Sequence, residues 1–190
     1  KDPSKNITLR KKLKIDSSTT VVGMIGSFDK RKGCDLFIET ARKMKNKDIH
    51  FVWIGADIRS SFLNKIKDLK LSLIPPCEDY IKYYHLFDIF YISSREDPYP
   101  MVLVEASAFG IPIICFNNSG GAQEFIDDKV GFVIPRLNPI EVASSLEKVI
   151  NNSTLKNRNS DYIKQKSKLT HDINTNAEYM FSNISKRFKW

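Results

Sequence analysis

Short apolar runs rich in β-branched and aromatic residues alternate along this chain with longer segments that repeat with the period of a helix. This alternation is typical of parallel βαβ units, in which a crossover helix follows each strand. Most of the runs are continuously apolar, as expected of strands that are covered on both faces. The pattern therefore predicts an α/β fold with a doubly wound, mainly parallel sheet. Six strands are predicted, at residues 21–27, 50–55, 71–75, 88–94, 111–117 and 131–135.

The segments between these runs place their apolar residues on one helical stripe, which indicates helices that pack on the sheet. Residues 19–153 are predicted to form the sheet domain, and residues 1–18 read as a polar linker that enters it. Residues 154–190 carry two polar helical patterns and are expected to pack outside the sheet or against a partner domain. The chain therefore reads as the second half of a larger protein. Helices inside the domain are predicted to begin near residues 35, 60, 78, 100, 121 and 138.

Charge and cysteine usage limit the cellular compartment and the class of ligand that we expect. No apolar run approaches the length that spans a bilayer, and the three cysteines show no metal-ligand or redox spacing. We therefore expect a soluble protein of the reducing cytoplasm. The net charge of +8 is compatible with polyanionic or phosphorylated ligands, but a solvated basic surface is the favoured explanation, because much of the excess lies in residues 1–14 and 156–189.

Three consecutive cations, Lys30, Arg31 and Lys32, follow the first predicted strand and directly precede a predicted helix. Ligands of open α/β sheets bind beyond the carboxyl ends of the strands, so this loop is a candidate site. A lysine at a helix N-terminus opposes the helix dipole by roughly a few tenths of a kcal/mol, and a bound anion would explain its presence. The alternative is an exposed loop cluster. The glycines do not form a G-x-G-x-x-G fingerprint, which disfavours a nicotinamide cofactor.

The segment after the fourth predicted strand supplies a second candidate. Pro100 at the first helical position would leave the amides of Met101, Val102 and Leu103 unpaired, which makes a natural phosphate seat. One turn later, Glu105 is a single carboxylate on an otherwise apolar helix, so it needs hydrogen-bond donors facing it. A ribose with two adjacent hydroxyls would supply these donors. The alternative is that Glu105 lies at a solvent-exposed edge or pairs with a lysine.

Residues 94–106, S-R-E-D-P-Y-P-M-V-L-V-E-A, resemble the E-x7-E element of family-4 retaining glycosyltransferases of the GT-B fold. The resemblance implies that Glu105 binds the nucleotide ribose and that a carboxylate at the start of the element contacts the donor sugar. Asp97 occupies that first position with Glu96 beside it, and the sequence leaves open which of the two reaches the sugar.

The resemblance extends over roughly residues 9–150. In the segment V-V-G-M-I-G-S-F-D-K-R-K-G it implies that Lys32 binds the leaving diphosphate. Ser27 stands where the family often has an arginine, so Arg31 is the candidate second cation. Gly120 and Gly121, in G-G-A-Q-E, match the family's loop after the fifth strand. Residues 74–78 depart from the family pattern, so no preference for a nucleobase is carried over.

The chain is thus identified as the donor-binding, C-terminal Rossmann-like half of a GT-B enzyme. The resemblance implies transfer of a sugar from a nucleotide-diphosphate sugar to a hydroxyl, with retention at the anomeric carbon. The resemblance implies three catalytic groups, which are Asp97, Glu96 and Lys32. It implies substrate-binding roles for Ser27, Arg31, residues 100–103, Glu105, Gly120 and Gly121. No metal or other cofactor is expected. The implied partners are the nucleotide sugar and an N-terminal acceptor domain, with peripheral association of the parent protein with an anionic membrane and no nucleic acid.

Two alternatives stay open. Another nucleotide-dependent α/β enzyme, such as a sugar epimerase, would share the fold, although the missing dinucleotide fingerprint counts against it. A non-enzymatic basic module would bind nucleic acid or anionic lipid through the same charge, with steep salt dependence and no preference for nucleotide sugars.

Overall fold

The computed structural model describes residues 1–56, 66–151 and 159–188. These residues contain a six-stranded sheet in which every neighbouring pair of strands is parallel. The strands are β1 (Thr20–Ile25), β2 (Ile49–Ile54), β3 (Leu71–Ile74), β4 (Ile89–Ile92), β5 (Ile113–Phe116) and β6 (Gly131–Ile134). Their order is β3-β2-β1-β4-β5-β6. The predicted α/β fold with a doubly wound parallel sheet is confirmed.

Helices cover both faces of the sheet and bury its central strands. They are α1 (Pro3–Leu13), α2 (Cys34–Lys43), α3 (Met101–Ala108), α4 (Ala122–Phe125), α5 (Pro139–Asn151), α6 (Ser160–His171) and α7 (Ile173–Phe188). A 3-10 helix spans Tyr80–His85, where the sequence pattern predicted a helix beginning near residue 78. The helix predicted near residue 60 lies outside the described residues.

The core shows why the strands are continuously apolar. Every residue of β1 is buried, and Phe37 of α2 packs its ring edge-on against Phe51 and Trp53 of β2. Gly23 interrupts β1 for a steric reason, because a Cβ at this position would stand 2.4 Å from the ring of Phe87. The missing side chain therefore provides the space that a buried aromatic residue fills.

The expectation of a linker at residues 1–18 is wrong for Pro3–Leu13, which form α1. Asp2 caps this helix by accepting hydrogen bonds from the amides of Ser4 and Lys5. Arg10 is buried and anchors the helix, since its guanidinium donates to the carbonyls of Asp16 and Thr19 and pairs with Asp88 at 3.2 Å. Sequence periodicity missed this helix because only Leu9 and Leu13 pack on the apolar core, while a buried arginine supplies the polar attachment.

The two helical patterns predicted in the C-terminal segment correspond to α6 and α7, and the predicted boundary at 153/154 falls outside the described residues. Helix α6 packs on α3, with Ile163 buried and Ser167 bonded to Ser107 at 2.7 Å. The apolar side chains of α7 are largely exposed. They are Ile173, Tyr179, Met180, Phe181 and Ile184.

A carboxylate fastens α6 to the loop before β6. Asp127 accepts hydrogen bonds from Tyr162 and Lys166, each at 2.7 Å. Burial acts to raise the pKa of Asp127, but these two donors and two backbone amides outweigh it and lower the pKa to about 2. The carboxylate is therefore charged throughout the physiological range and serves as an anchor of α6.

Candidate functional site

The loops after β1 and β4 lie side by side at the carboxyl edge of the sheet, because these two strands are neighbours there. The strand order reverses between them, since β2 and β3 follow on one side and β5 and β6 on the other. This is the position at which open α/β sheets form a ligand crevice. The sequence-predicted residues after both strands are thereby brought to one edge.

Backbone contacts join the two loops. Gly33 has φ +75°, and a Cβ there would lie 1.9 Å from the carbonyl oxygen of Ser93, so only glycine allows this approach. The hydroxyl of Ser93 donates to the carbonyl of Lys32 at 2.8 Å. The amide of Arg95 donates to the carbonyl of Arg31, also at 2.8 Å. The cationic loop is thus held against the end of β4.

Arg95 strengthens the same junction through its side chain. Its guanidinium forms two hydrogen bonds with the carboxylate of Asp35, at 2.7 and 2.8 Å, and a third with the carbonyl of Lys30. The hydrogen bond from Arg95 lowers the pKa of Asp35 below its ordinary value. Arg95 therefore has a structural role at this junction.

Lys32 and Asp97 form an ion pair across the two loops, which joins two predicted catalytic residues. Their side chains are only 16% and 12% exposed, so most of the water around both charges has been removed. The amide of Lys32 donates to Asp29 at 2.8 Å, which fixes the turn that carries the lysine. Glu96 is exposed and does not join this pair. Of the two carboxylates left open by the sequence, the structure brings Asp97 to Lys32.

The glycine pair after β5 supports Asp97 from the other side. Gly120 has φ +133°, and a Cβ there would lie 1.7 Å from the carbonyl oxygen of Asp97. The amide of Asp97 donates to the carbonyl of Ser119, and the amide of Gly121 donates to that of Pro98, both at 2.7 Å. The two glycines thus serve as backbone supports for the acidic loop.

The N-terminus of α3 carries free backbone donors, with two corrections to the sequence prediction. Pro100 is the N-cap, and not the first helical residue, with φ −71° and ψ 121°. The amide of Leu103 donates to the carbonyl of Pro100 at 2.9 Å and is therefore not free. Among residues 1–56, 66–151 and 159–188, the amides of Met101 and Val102 find no acceptor. The predicted anion seat consists of two amides rather than three.

Two tyrosines supply the donors that Glu105 was expected to need. The hydroxyl of Tyr84 donates to Glu105 Oε2 at 2.6 Å, and that of Tyr80 donates to Oε1 at 2.9 Å. Burial, followed by the bond to Glu105, raises the pKa of Tyr84; for Tyr80 the bond to Glu105 is the larger cause of a raised pKa. Both phenols are therefore protonated donors at neutral pH. Sequence reasoning missed them, although their i, i+4 spacing was visible.

A mostly apolar cavity of about 720 Å³ opens beside these groups, beyond the ends of β1, β2 and β3. The cavity is adjacent both to the residues around Glu105 and to Lys32. Tyr80 lines it and also bonds Glu105, while Gly26 lines it and lies against the aliphatic stem of Lys32. Other lining residues are Phe28, Ala56, Pro75 and Cys77.

The remaining predicted residues are peripheral to the ion pair. Ser27 is exposed and donates to Asp29 at 2.6 Å, and exposed Arg31 donates to the carbonyl of Glu96 at 3.1 Å. Neither contacts the Lys32 ammonium. No three His, Cys, Asp or Glu side chains in the described part of the chain could together hold a metal ion. Nor does any helix within the described ranges have the length and apolar character to cross a membrane.

One contact that the sequence did not suggest ties the C-terminal segment to the site. Tyr99 lies in the acidic loop, and its hydroxyl is 2.7 Å from Nε2 of His171 at the end of α6. The ring of Tyr99 also covers Gly121, where a Cβ would stand 2.6 Å from Tyr99 Cδ2. The loop that presents Asp97 is thus held from α6 as well as from β5.

The sheet order and the residues gathered at its reversal define a Rossmann-like α/β domain with a polar crevice at its switch point. The chain belongs to the family described as Glycosyl transferases group 1, whose model matches residues 5–168. That match covers most of α1, the whole sheet and most of α6. The identification of a glycosyltransferase domain from the sequence motifs is therefore confirmed.

Two curated relatives are similar over most of this chain. An uncharacterized glycosyltransferase of Haemophilus influenzae is 29% identical over 169 residues, which cover 84% of this chain and 47% of the relative. The capsular polysaccharide biosynthesis glycosyltransferase CapM of Staphylococcus aureus is 23% identical over 151 residues, or 75% of this chain and 40% of its own length. This chain thus spans about half the length of the relatives that it matches.

The fold is also found in solved structures. The Anabaena protein Alr3699/HepE in complex with UDP-glucose superposes with a TM-score of 0.82 at 18% identity, over 98% of this chain and 54% of that one. The structure of the same protein with UDP gives a TM-score of 0.81. At this identity the likeness establishes the fold alone, which agrees with one half of a GT-B enzyme.

Proposed function

We propose that this chain binds the nucleotide-diphosphate sugar of a retaining glycosyltransferase, which transfers the sugar to a hydroxyl acceptor. The proposal rests on Lys32 and Asp97, which are paired at the switch point, and on Glu105, which bonds Tyr80 in the wall of the apolar cavity beyond β1, β2 and β3. The free amides of Met101 and Val102 begin α3, the helix that carries Glu105. A nucleotide sugar has a flat aromatic base, a diol, two phosphates and a polar ring. The site offers a group of matching chemistry for each part.

Each part of the donor has a proposed place. The base enters the apolar cavity, whose lining includes Phe28 and Tyr80. The ribose diol donates to Glu105, because a carboxylate accepts two adjacent hydroxyls well. The diphosphate lies between Lys32 and the amides of Met101 and Val102, which combine a full positive charge with the positive end of a helix.

The same groups would serve the chemical step. The bond between the anomeric carbon and the diphosphate oxygen breaks with its electron pair on the diphosphate, so negative charge grows there. Lys32 and the α3 amides are positioned to stabilise that charge as it develops. We assign Asp97, and not the exposed Glu96, to the sugar hydroxyls, since it adjoins Lys32. With charge neutralised in this way, the proposed mechanism needs no metal or other cofactor.

The acceptor would bind a second domain. In the matched structures this chain corresponds to about half of the protein, and the exposed apolar side chains of α7 offer a surface for such a domain. A cytoplasmic location, and contact of the parent protein with an anionic membrane, are further proposals that rest on cysteine usage and charge alone.

Calorimetry with UDP, GDP and ADP tests the donor proposal, with UDP first because the similar Anabaena protein was crystallised with it. We expect at least one to bind, and Lys32→Ala to weaken it far more than Lys30→Ala, an exposed cation of the same loop. If none binds at millimolar concentration while circular dichroism shows a folded protein, the proposal fails. If both variants weaken binding equally, and if the affinity falls steeply as salt is added, a general polyanion-binding surface explains the site instead.

A further inference from the structure

Glu105 already has two protein partners in this structure. Tyr80 and Tyr84, both from the 3-10 helix, donate to different oxygens of its carboxylate. A carboxylate has about four lone-pair positions, so two remain for a ligand. A diol that donates one hydroxyl to each oxygen would complete the set.

Tyr84 cannot easily leave this arrangement. Its side chain is fully buried, and its ring stacks on Phe109 with centroids 5.2 Å apart and packs edge-on against Phe87 at 5.9 Å. A buried hydroxyl without a partner is costly, so the bond to Glu105 fixes the phenol and the carboxylate together. Tyr80 differs, because it is half-buried and forms part of the cavity wall.

We infer that Tyr84 is a positioning residue for recognition of the ribose diol: it holds Glu105 in the conformation that accepts the two ribose hydroxyls. Tyr80 makes the second contact to the same carboxylate from the cavity wall, where water can replace its hydroxyl. The inference rests on the proposed function, in which Glu105 binds ribose. It adds that selectivity for ribose over deoxyribose depends on a buried tyrosine that does not itself line the cavity.

The physical reason is preorganisation. A carboxylate held by a buried donor does not have to lose its rotational freedom when the diol binds, so less of the binding free energy is spent on ordering it. The raised pKa of Tyr84 agrees with this role, because the phenol stays a donor at neutral pH. Removal of the Tyr84 hydroxyl allows the Glu105 carboxylate to rotate. The affinity therefore falls for ligands that carry the diol.

The test compares UDP with 2′-deoxy-UDP and 3′-deoxy-UDP by calorimetry on the 190-residue chain. The measured quantity is the ratio of the UDP affinity to each deoxy affinity, which a general loss of stability would not change. We expect the wild type to prefer UDP by about tenfold or more, the usual scale for a hydrogen bond to a charged group. Tyr84→Phe should reduce that ratio to a few-fold at most and leave the deoxy affinities nearly unchanged. Tyr80→Phe should reduce the ratio less.

Tyr83→Phe is the matched control, because Tyr83 is buried on the same 3-10 helix and does not bond Glu105. It should keep the wild-type ratio. A second arm adds Tyr84→Phe to Glu105→Gln, where it should have no further effect on the ratio. This arm remains informative if the single Tyr84 variant is less stable than expected.

The outcomes separate the two proposals. If the wild type binds no nucleoside diphosphate, the proposed function fails and the inference fails with it. If the wild type prefers UDP and Tyr84→Phe keeps the full preference, the inference alone is wrong. Equal binding of UDP and both deoxy forms by the wild type would also overturn it, since Glu105 would then not read the diol.

Discussion

We expect substitutions in the Lys32–Asp97 pair to have different effects on protein stability and on nucleotide binding. Lys32→Ala leaves the Asp97 carboxylate, 12% exposed, without its partner. Loss of one member of a fully buried pair costs about 3 to 5 kcal/mol, whereas an exposed pair contributes about 0 to 1 kcal/mol. At these exposures we expect Lys32→Ala to lower the free energy of unfolding by about 2 kcal/mol. In the double variant Lys32→Ala/Asp97→Asn the orphaned charge is gone, so most of that loss should be recovered.

Nucleotide binding should not recover in the same way. Removal of the ammonium takes away a charged hydrogen bond to the diphosphate, about 1.5 to 3 kcal/mol, or roughly ten- to a hundredfold in affinity. The double variant should regain only a small part of the lost UDP affinity, because loss of the Asp97 charge removes repulsion of the diphosphate but supplies no cation. Urea unfolding followed by circular dichroism gives the stabilities, and calorimetry gives the affinities. If the double variant is less stable than either single one, or if its UDP affinity returns to that of the wild type, the pair does not have the role assigned to it.

Four further expectations follow from single contacts. Glu105→Ala should weaken UDP binding by about 1 to 3 kcal/mol and, because it orphans buried Tyr84, lower stability by a similar amount in urea melts. Gly120→Ala should cost about 1 to 3 kcal/mol and weaken UDP binding, since its Cβ would overlap the Asp97 carbonyl; an unchanged melting temperature would contradict this. Asp127→Asn should cost about 1 kcal/mol at pH 7, discounted for solvent screening, and the cost should vanish as pH falls from about 4 to about 2, because protonation removes the same charge from the wild type. The 190-residue chain should bind donor yet transfer no sugar to hydroxyl acceptors, whereas the full-length parent should; robust transfer by the chain alone would refute this.

The sheet, and the edge at which the candidate site residues meet, follow from the sequence. Continuous apolar runs can be buried only as strands covered on both faces, and their alternation with helical segments forces parallel connections. Parallel strands bring their carboxyl ends to one edge, so the loops that carry Lys32 and Asp97, and the start of the helix that carries Glu105, had to share a region. These conclusions needed only local periodicity and chain direction, which the sequence contains in full.

Tertiary structure alone decided which groups meet within that region. Glu96 and Asp97 are adjacent and chemically alike, and only the backbone path around Gly120 directs one of them to Lys32. Glu105 receives its donors from a helix more than twenty residues earlier in the chain. Helix α1 is attached through a buried arginine that has no periodic signature. Such contacts depend on single hydrogen bonds and on close backbone approaches between residues that are distant in sequence. Local patterns of hydrophobicity carry no information about them.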